Sequence, residues 1–173
     1  MIREAALMNS DRTVYSVIVP LYNEEAVVQD SYKRIREVMD TTGESYEIIF
    51  VNDGSRDSTY EKVREILKND KNVRLISFSR NFGHQSAITA GMDHCTGQAV
   101  IVIDADLQDP PEVMLKMIEK WKEGYEVVYG KRIKRKGETL FKKATAKIYY
   151  KILSKTTDVE IPIDTGDFRL IDR

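Results

Sequence analysis

The chain has 173 residues, enough for one domain that buries about 70% of its unfolded surface without a disulfide or zinc staple. Hydrophobic residues make up 42% and charged residues 32%, which excludes a disordered chain. The net charge of −1 argues against a nucleic-acid binder held by bulk charge, but it hides a split. Residues 1–130 carry 15 basic and 22 acidic side chains, whereas residues 131–173 carry 12 and 6, so an acidic body precedes a basic C-terminal quarter.

Strand and helix signals then alternate. Residues 1–14 read as an N-terminal extension, and their lack of an apolar core excludes a signal peptide. Tyr15 to Pro20 is a β-branched run that predicts a strand. Glu24 to Met39 has apolar residues at helical spacing, and Tyr46 to Val51 predicts the second strand. Asn52-Asp53-Gly54-Ser55 is turn chemistry, and Ser58 to Glu61 has the pattern of a capping box opening a helix to Leu67. Asn72 to Phe78 predicts the third strand. Gln85 to Cys95 predicts a helix, with Gly97 as its stop. Ala99 to Ile103, apolar throughout, suits a strand covered on both faces. Asp109-Pro110-Pro111-Glu112 predicts a helix start with Asp109 as N-cap, and Tyr125 to Tyr129 predicts the fifth strand.

This alternation predicts an α/β fold: βαβ units with right-handed crossovers and a Rossmann-like, mostly parallel sheet with helices on both faces. Ligands bind such sheets at the carboxyl ends of the strands. Acidic and amide groups cluster at three of those ends: Tyr22-Asn23-Glu24, Asn52-Asp53, and Asp104-Ala105-Asp106-Leu107-Gln108. Taken as extended, the last segment points Asp104, Asp106 and Gln108 to one side, a set of oxygen donors suited to Mg²⁺ or Mn²⁺. Their alternative role is to end a strand and cap a helix. Asp53 reads equally as loop chemistry or as an acceptor for a nucleotide base or ribose. Tyr22 reads as a packing aromatic or as a flank to a base.

Other chemistries are missing. Cys95 is the single cysteine, so no intrachain disulfide forms, a reducing compartment is expected, and a buried structural thiol is predicted. His84 and His94 fit no zinc spacing, and neither the dinucleotide fingerprint nor the P-loop occurs. No apolar run approaches the roughly 20 residues of a membrane span. Lys131 to Lys155 holds ten Lys/Arg and one acid, Glu138. Within it, Leu140 to Leu153 has helical apolar spacing with lysines interleaved, which reads as a surface helix on the sheet or as a basic amphipathic helix on an anionic membrane.

Several segments together resemble the glycosyltransferase family 2 nucleotide-sugar domain, the GT-A fold. They are Pro20-Leu-Tyr-Asn-Glu24, Val51-Asn-Asp-Gly-Ser55, Phe78-Ser-Arg-Asn-Phe-Gly83, Asp104-Ala-Asp-Leu-Gln-Asp-Pro-Pro111, Tyr129-Gly-Lys-Arg132 and Asp164-Thr-Gly-Asp-Phe-Arg-Leu170. The resemblance covers residues 15–173 as one catalytic domain. The longer set is similar to the polyprenyl-phosphate branch of that family, which includes bactoprenol glucosyltransferases and dolichol-phosphate mannose synthases. It implies inverting transfer of a sugar, with UDP-glucose favoured, from a nucleotide diphosphate to a polyprenyl phosphate.

The resemblance also implies roles. Pro20, Tyr22, Glu24, Asp53 and Asp104 would contact the nucleotide. Asp104, Asp106 and Gln108 would hold the divalent metal, Mg²⁺ or Mn²⁺, and the diphosphate. Arg132 would reach a phosphate, its alternative being a solvated surface cation. Asp167 would act at the acceptor side, with Arg169 a weaker candidate; Asp167, Asp106 and Arg132 form the expected catalytic set. A lipid phosphate is already anionic near neutral pH, so Asp167 is expected to position the acceptor or stabilise an oxocarbenium-like centre more than to act as a strict base. The branch implies the cytoplasmic side of the cell membrane, residues 131–155 against an anionic surface, and a further amphipathic or transmembrane portion after residue 173. Homo-oligomerisation stays open, and nucleic acid is not an expected partner. The rival readings are a family 2 transferase with a soluble or polysaccharide acceptor, and a non-catalytic nucleotide-sugar binding module.

Overall fold

A computed structural model of the chain describes residues 13–131 and 165–173. The expected N-terminal extension lies largely, and Arg132 and the basic segment from residue 132 onward entirely, outside the described residues.

The elements run β1 (Tyr15–Leu21), α1 (Val28–Asp40), β2 (Tyr46–Asn52), α2 (Thr59–Asn69), β3 (Val73–Ser77), α3 (His84–His94), β4 (Ala99–Val102), α4 (Val113–Lys122), β5 (Val127–Lys131) and β6 (Thr165–Asp172). They form one six-stranded sheet in the order β3-β2-β1-β4-β6-β5. β1, β2, β3 and β4 pair in parallel. β6 lies antiparallel between β4 and β5. The sheet is therefore mostly parallel, as the alternation predicts, with one reversed strand.

β1, β2 and β4 are buried along their whole length. Their alternate residues feed two cores. Val17, Val19, Ile48, Phe50 and Ile101 face α1, α2 and α4, while Ile18, Ile49, Val51, Val100 and Val102 face α3. Helices thus cover both faces. Each fully buried Val or Ile contributes roughly 1.5–3 kcal/mol, so packing holds these helices more than their ends do.

Helix ends are where the structure departs from the expectations. α1 begins at Val28 rather than Glu24, because the backbone N–H groups of Glu24 and Glu25 donate to Thr59 Oγ1 and Asp57 Oδ2 of the next loop. The capping box at Ser58 does not form: Ser58 makes no side-chain cap bond, and Asp57 Oδ1 accepts from the Thr59 backbone instead. Asp109 is not the N-cap of α4. The helix starts at Val113 after a turn in which Pro110 and Pro111 carbonyls accept from Val113 and Met114. Gly97 is no helix stop in the left-handed region. A Cβ there would lie 2.6 Å from the Ser16 backbone nitrogen, so glycine is required by the close approach of the chain to β1. Cys95 is buried, as expected, at the end of α3.

At the amino ends of the strands lies a buried polar cluster. Glu47 accepts from the Ser16 hydroxyl, from the Thr96 backbone and hydroxyl, and from Arg74. Ser16 Oγ in turn accepts from the Gly97 N–H.

Candidate functional site

At the opposite end, the segments after β1, β2, β3 and β4 meet. The first two are stitched reciprocally: Asn23 N–H donates to Ser55 Oγ at 3.0 Å and Arg56 N–H donates to Asn23 Oδ1 at 2.9 Å. Asn23 sits at φ 57°, a left-handed position that asparagine tolerates. Ser58 N–H donates to Glu25 Oε2, closing the seam.

The turn after β2 is clamped to the loop after β3. Both oxygens of Asp53 accept backbone N–H groups, from Phe82 at 2.7 Å and Gly83 at 2.9 Å, and Asp53 is 3% exposed. Gly54 has φ +65°, and a Cβ on it would lie 2.3 Å from the Arg80 carbonyl carbon. Glycine is needed here for both reasons. The sequence offers Asp53 as loop chemistry or as a nucleotide contact. The structure gives it a defined loop-holding task while leaving it at the cleft wall.

That cleft has a volume of about 340 Å³ and is lined by Pro20, Tyr22, Glu24, Asp53, Asp104 and Asp106, among others. A second cleft of about 480 Å³ adjoins it across Tyr22 and Asn81 and is bounded by Asn52, Ser55, Arg56 and Arg80. The sequence-predicted nucleotide residues therefore lie together. Asp104 and Asp106 share the cleft, though not through an extended segment: Ala105 and Asp106 form a turn, and Leu107 takes φ 56°. Gln108 is exposed and lies outside the lining; its N–H donates to Asp106 Oδ1 at 3.0 Å.

Carboxylates crowd this end. Burial raises the Glu24 pKa, and Asp106, Asp57 and Asp104 add to it by repulsion. Burial likewise raises Asp104; His84 opposes the rise, and Asp106, Asp167 and Asp109 reinforce it. Among the described residues, no group of three or more His, Cys, Asp or Glu side chains is arranged to hold a metal by itself. Two aspartates with oxygen donors fit a hard cation whose remaining positions are filled by substrate and water.

His84 is the residue that the motif reading missed. Its Nε2 lies 3.1 Å from Asp167 Oδ2 and 3.6 Å from Asp104 Oδ1. Gln85 Nε2 donates to Asp167 Oδ1 at 3.2 Å, and Arg169 Nη1 is 3.7 Å from the same oxygen. The only signal available in the sequence was its place directly after Gly83, at a strand's carboxyl end. Metal-ligand spacing carries no trace of it, because its partner Asp167 lies 83 residues away.

A family model described as Glycosyl transferase family 2 matches residues 16–173. The chain belongs to that family. It is 65% identical over 159 residues to the uncharacterised glycosyltransferase YkcC of Bacillus subtilis, covering 92% of this chain and 49% of that protein. It is 43% identical over 158 residues to the bactoprenol glucosyl transferase of Shigella phage SfX, covering 91% of this chain and 52% of that protein. The chain thus spans about half the length of these curated family 2 relatives. Glucosyl-3-phosphoglycerate synthase from Mycobacterium tuberculosis, solved with Mn²⁺, UDP and phosphoglyceric acid, superposes with a TM-score of 0.65 at 22% identity, covering 99% of this chain and 60% of that one. That likeness bears on the fold alone, which is GT-A. Among the described residues, no helix is long and apolar enough to cross a membrane.

Proposed function

We propose that this chain is the catalytic domain of a transferase that moves a glucosyl group from UDP-glucose to a polyprenyl phosphate, with Mg²⁺ or Mn²⁺ bound. The observation that carries the reading is the meeting of Glu24, Asp104, Asp106 and, through His84, Asp167 at one sheet end. Kinship to a bactoprenol glucosyl transferase supports the sugar and the lipid acceptor. The two aspartates on the cleft wall support the metal, and the cleft beside Tyr22 and Asp53 at the carboxyl ends of the strands supports the nucleotide.

In this reading the uridine occupies the clefts on either side of Tyr22, with Arg56 and Arg80 near its polar edge. Asp104 and Asp106 would hold the metal, which when bound would supply positive charge against the diphosphate. Asp167 stands on the acceptor side. A phosphate oxygen of the lipid attacks the anomeric carbon from the face opposite the diphosphate. The new carbon–oxygen bond forms as the bond to UDP breaks, and configuration inverts. The acceptor is already an anion, so Asp167 orients it and stabilises positive charge at the ring. Arg132 and the basic segment 131–155 are assigned to phosphate contact and to an anionic membrane surface on the cytoplasmic side.

The test is turnover by the full-length protein, with UDP-glucose and polyprenyl phosphate in liposomes. UDP and a glucosyl lipid are expected in equal amounts. Turnover should stop with a chelator and return with Mg²⁺ or Mn²⁺. Turnover indifferent to chelation would remove the metal. Transfer to a soluble saccharide alone would replace the lipid acceptor.

A further inference from the structure

α3 is anchored at both ends of its first turn. Behind it, Asp53 grips the Phe82 and Gly83 N–H groups, and Gly54 packs on the Arg80 backbone. Beneath it, Ala87, Ile88 and Gly91 are buried against the sheet. The helix therefore delivers its first two side chains, His84 and Gln85, to a fixed place. Both reach Asp167, which lies 83 and 82 residues away in sequence on the antiparallel strand β6. Each takes a different oxygen: His84 faces Oδ2 and Gln85 donates to Oδ1.

A carboxylate held at one oxygen can still rotate about its Cβ–Cγ bond. Held at both by donors from a rigid helix, it has one plane. We infer that His84, donating through Nε2–H, and Gln85 are positioning residues that lock the plane of the Asp167 carboxylate toward the acceptor side. The inference rests on the acceptor-side reading of Asp167 given above. The role belongs to the pair: an amide and an imidazole with complementary reach, placed by consecutive helix positions, on a side chain from the far end of the chain. His84 also stands 3.6 Å from Asp104, so the same ring spaces the acceptor side from the diphosphate side.

Positioning acts on the rate of the bound complex rather than on donor binding. His84→Ala and Gln85→Leu in the full-length protein are expected to lower kcat for transfer by about 10–100-fold, the range for an active-site group displaced by about an ångström. The dissociation constant for UDP and the Tm should stay close to wild type. His84→Gln, which keeps an N–H donor, should recover part of the loss. In an Asp167→Asn background, His84→Ala should change kcat less than about twofold, because residues acting through one group are not additive. Full additivity in that background, or equal loss of UDP affinity, would overturn the inference. Crystal structures decide it independently of turnover: one Asp167 carboxylate plane in wild type and a rotated or split one in His84→Ala supports it, and an unchanged plane overturns it. Wild-type protein that transfers sugar to no acceptor would instead sink the proposed function, and the carboxylate plane would still judge the positioning.

Discussion

Asp104 shows how one residue carries opposed demands. Burial and the neighbouring Asp106, Asp167 and Asp109 raise its pKa, with His84 the counterweight. A site arranged this way destabilises its own ion-free state and favours a bound cation. Asp104→Asn removes a charge from the crowd, so the ligand-free protein should melt at a higher temperature than wild type. On the proposed function, the same variant should lose about 100-fold or more in sugar transfer, since a metal held there would contribute several kcal/mol against the departing charge. Calorimetry and turnover measured on one preparation check both halves. An Asp104→Asn protein with lower Tm would show that the carboxylate is a structural asset and would remove the crowding argument. Gains in stability from altered functional residues are a general pattern.

Among the elements, the loops decide the site more than the helices and strands do. Gly54 is the sharpest case, because two separate requirements meet there. Gly43 has nearly the same left-handed φ, +67°, but nothing lies within 4 Å of where its Cβ would be. Gly43→Ala should therefore cost only about 1 kcal/mol, from the backbone conformation alone. Gly54→Ala adds a collision with the Arg80 backbone, which no side-chain rotation relieves, and should cost at least about 2 kcal/mol more. It should also weaken UDP binding, since Arg80, Asn81 and Gly83 line the two clefts. Denaturant melts of the pair separate the effects, and equal losses at both positions would mean the 80–83 loop gives way freely. These same loops mark the limit of what the sequence can express. β-Branched runs such as Ile48 to Val51 made the strands legible, and the strand-end rule brought Glu24, Asp104 and Asp106 to one rim. The start of α1 is hidden from the sequence because the Glu24 and Glu25 N–H groups donate to Thr59 and Asp57 of a neighbouring loop, 35 and 32 residues away. His84 is hidden for the same reason: its partner Asp167 comes from the antiparallel strand β6, whose register no local pattern encodes.

Across the whole molecule, individual buried carboxylates respond to acid in opposite directions. At the carboxyl end, Glu24 and Asp104 have folded pKa values above their ordinary 4.5 and 3.8. Their ionisation disfavours the folded state above those raised values, and the penalty fades as pH falls toward the ordinary ones. At the amino end, burial pushes the Glu47 carboxyl up, but donors from Ser16, Arg74 and Thr96 outweigh it and leave its pKa below 4.5. Its contribution is complete above 4.5 and is lost as pH falls through the lowered value. The ligand-free protein should therefore hold or gain Tm on mild acidification and lose it steeply below about pH 4.5, the ordinary glutamate value. Glu47→Gln keeps the shape, leaves a neutral amide among four donors, and should lower stability at pH 7 by about 1–3 kcal/mol. It should also make the acid limb shallower, because one of the lowered carboxylates that titrate there is gone, with Asp57 and Glu112 remaining. Mg²⁺ or Mn²⁺ should raise Tm at pH 7 in wild type and less in Asp104→Asn, while leaving the Glu47 limb in place. An acid limb equally steep in Glu47→Gln would assign acid unfolding to the other carboxylates and detach it from the amino end of the sheet.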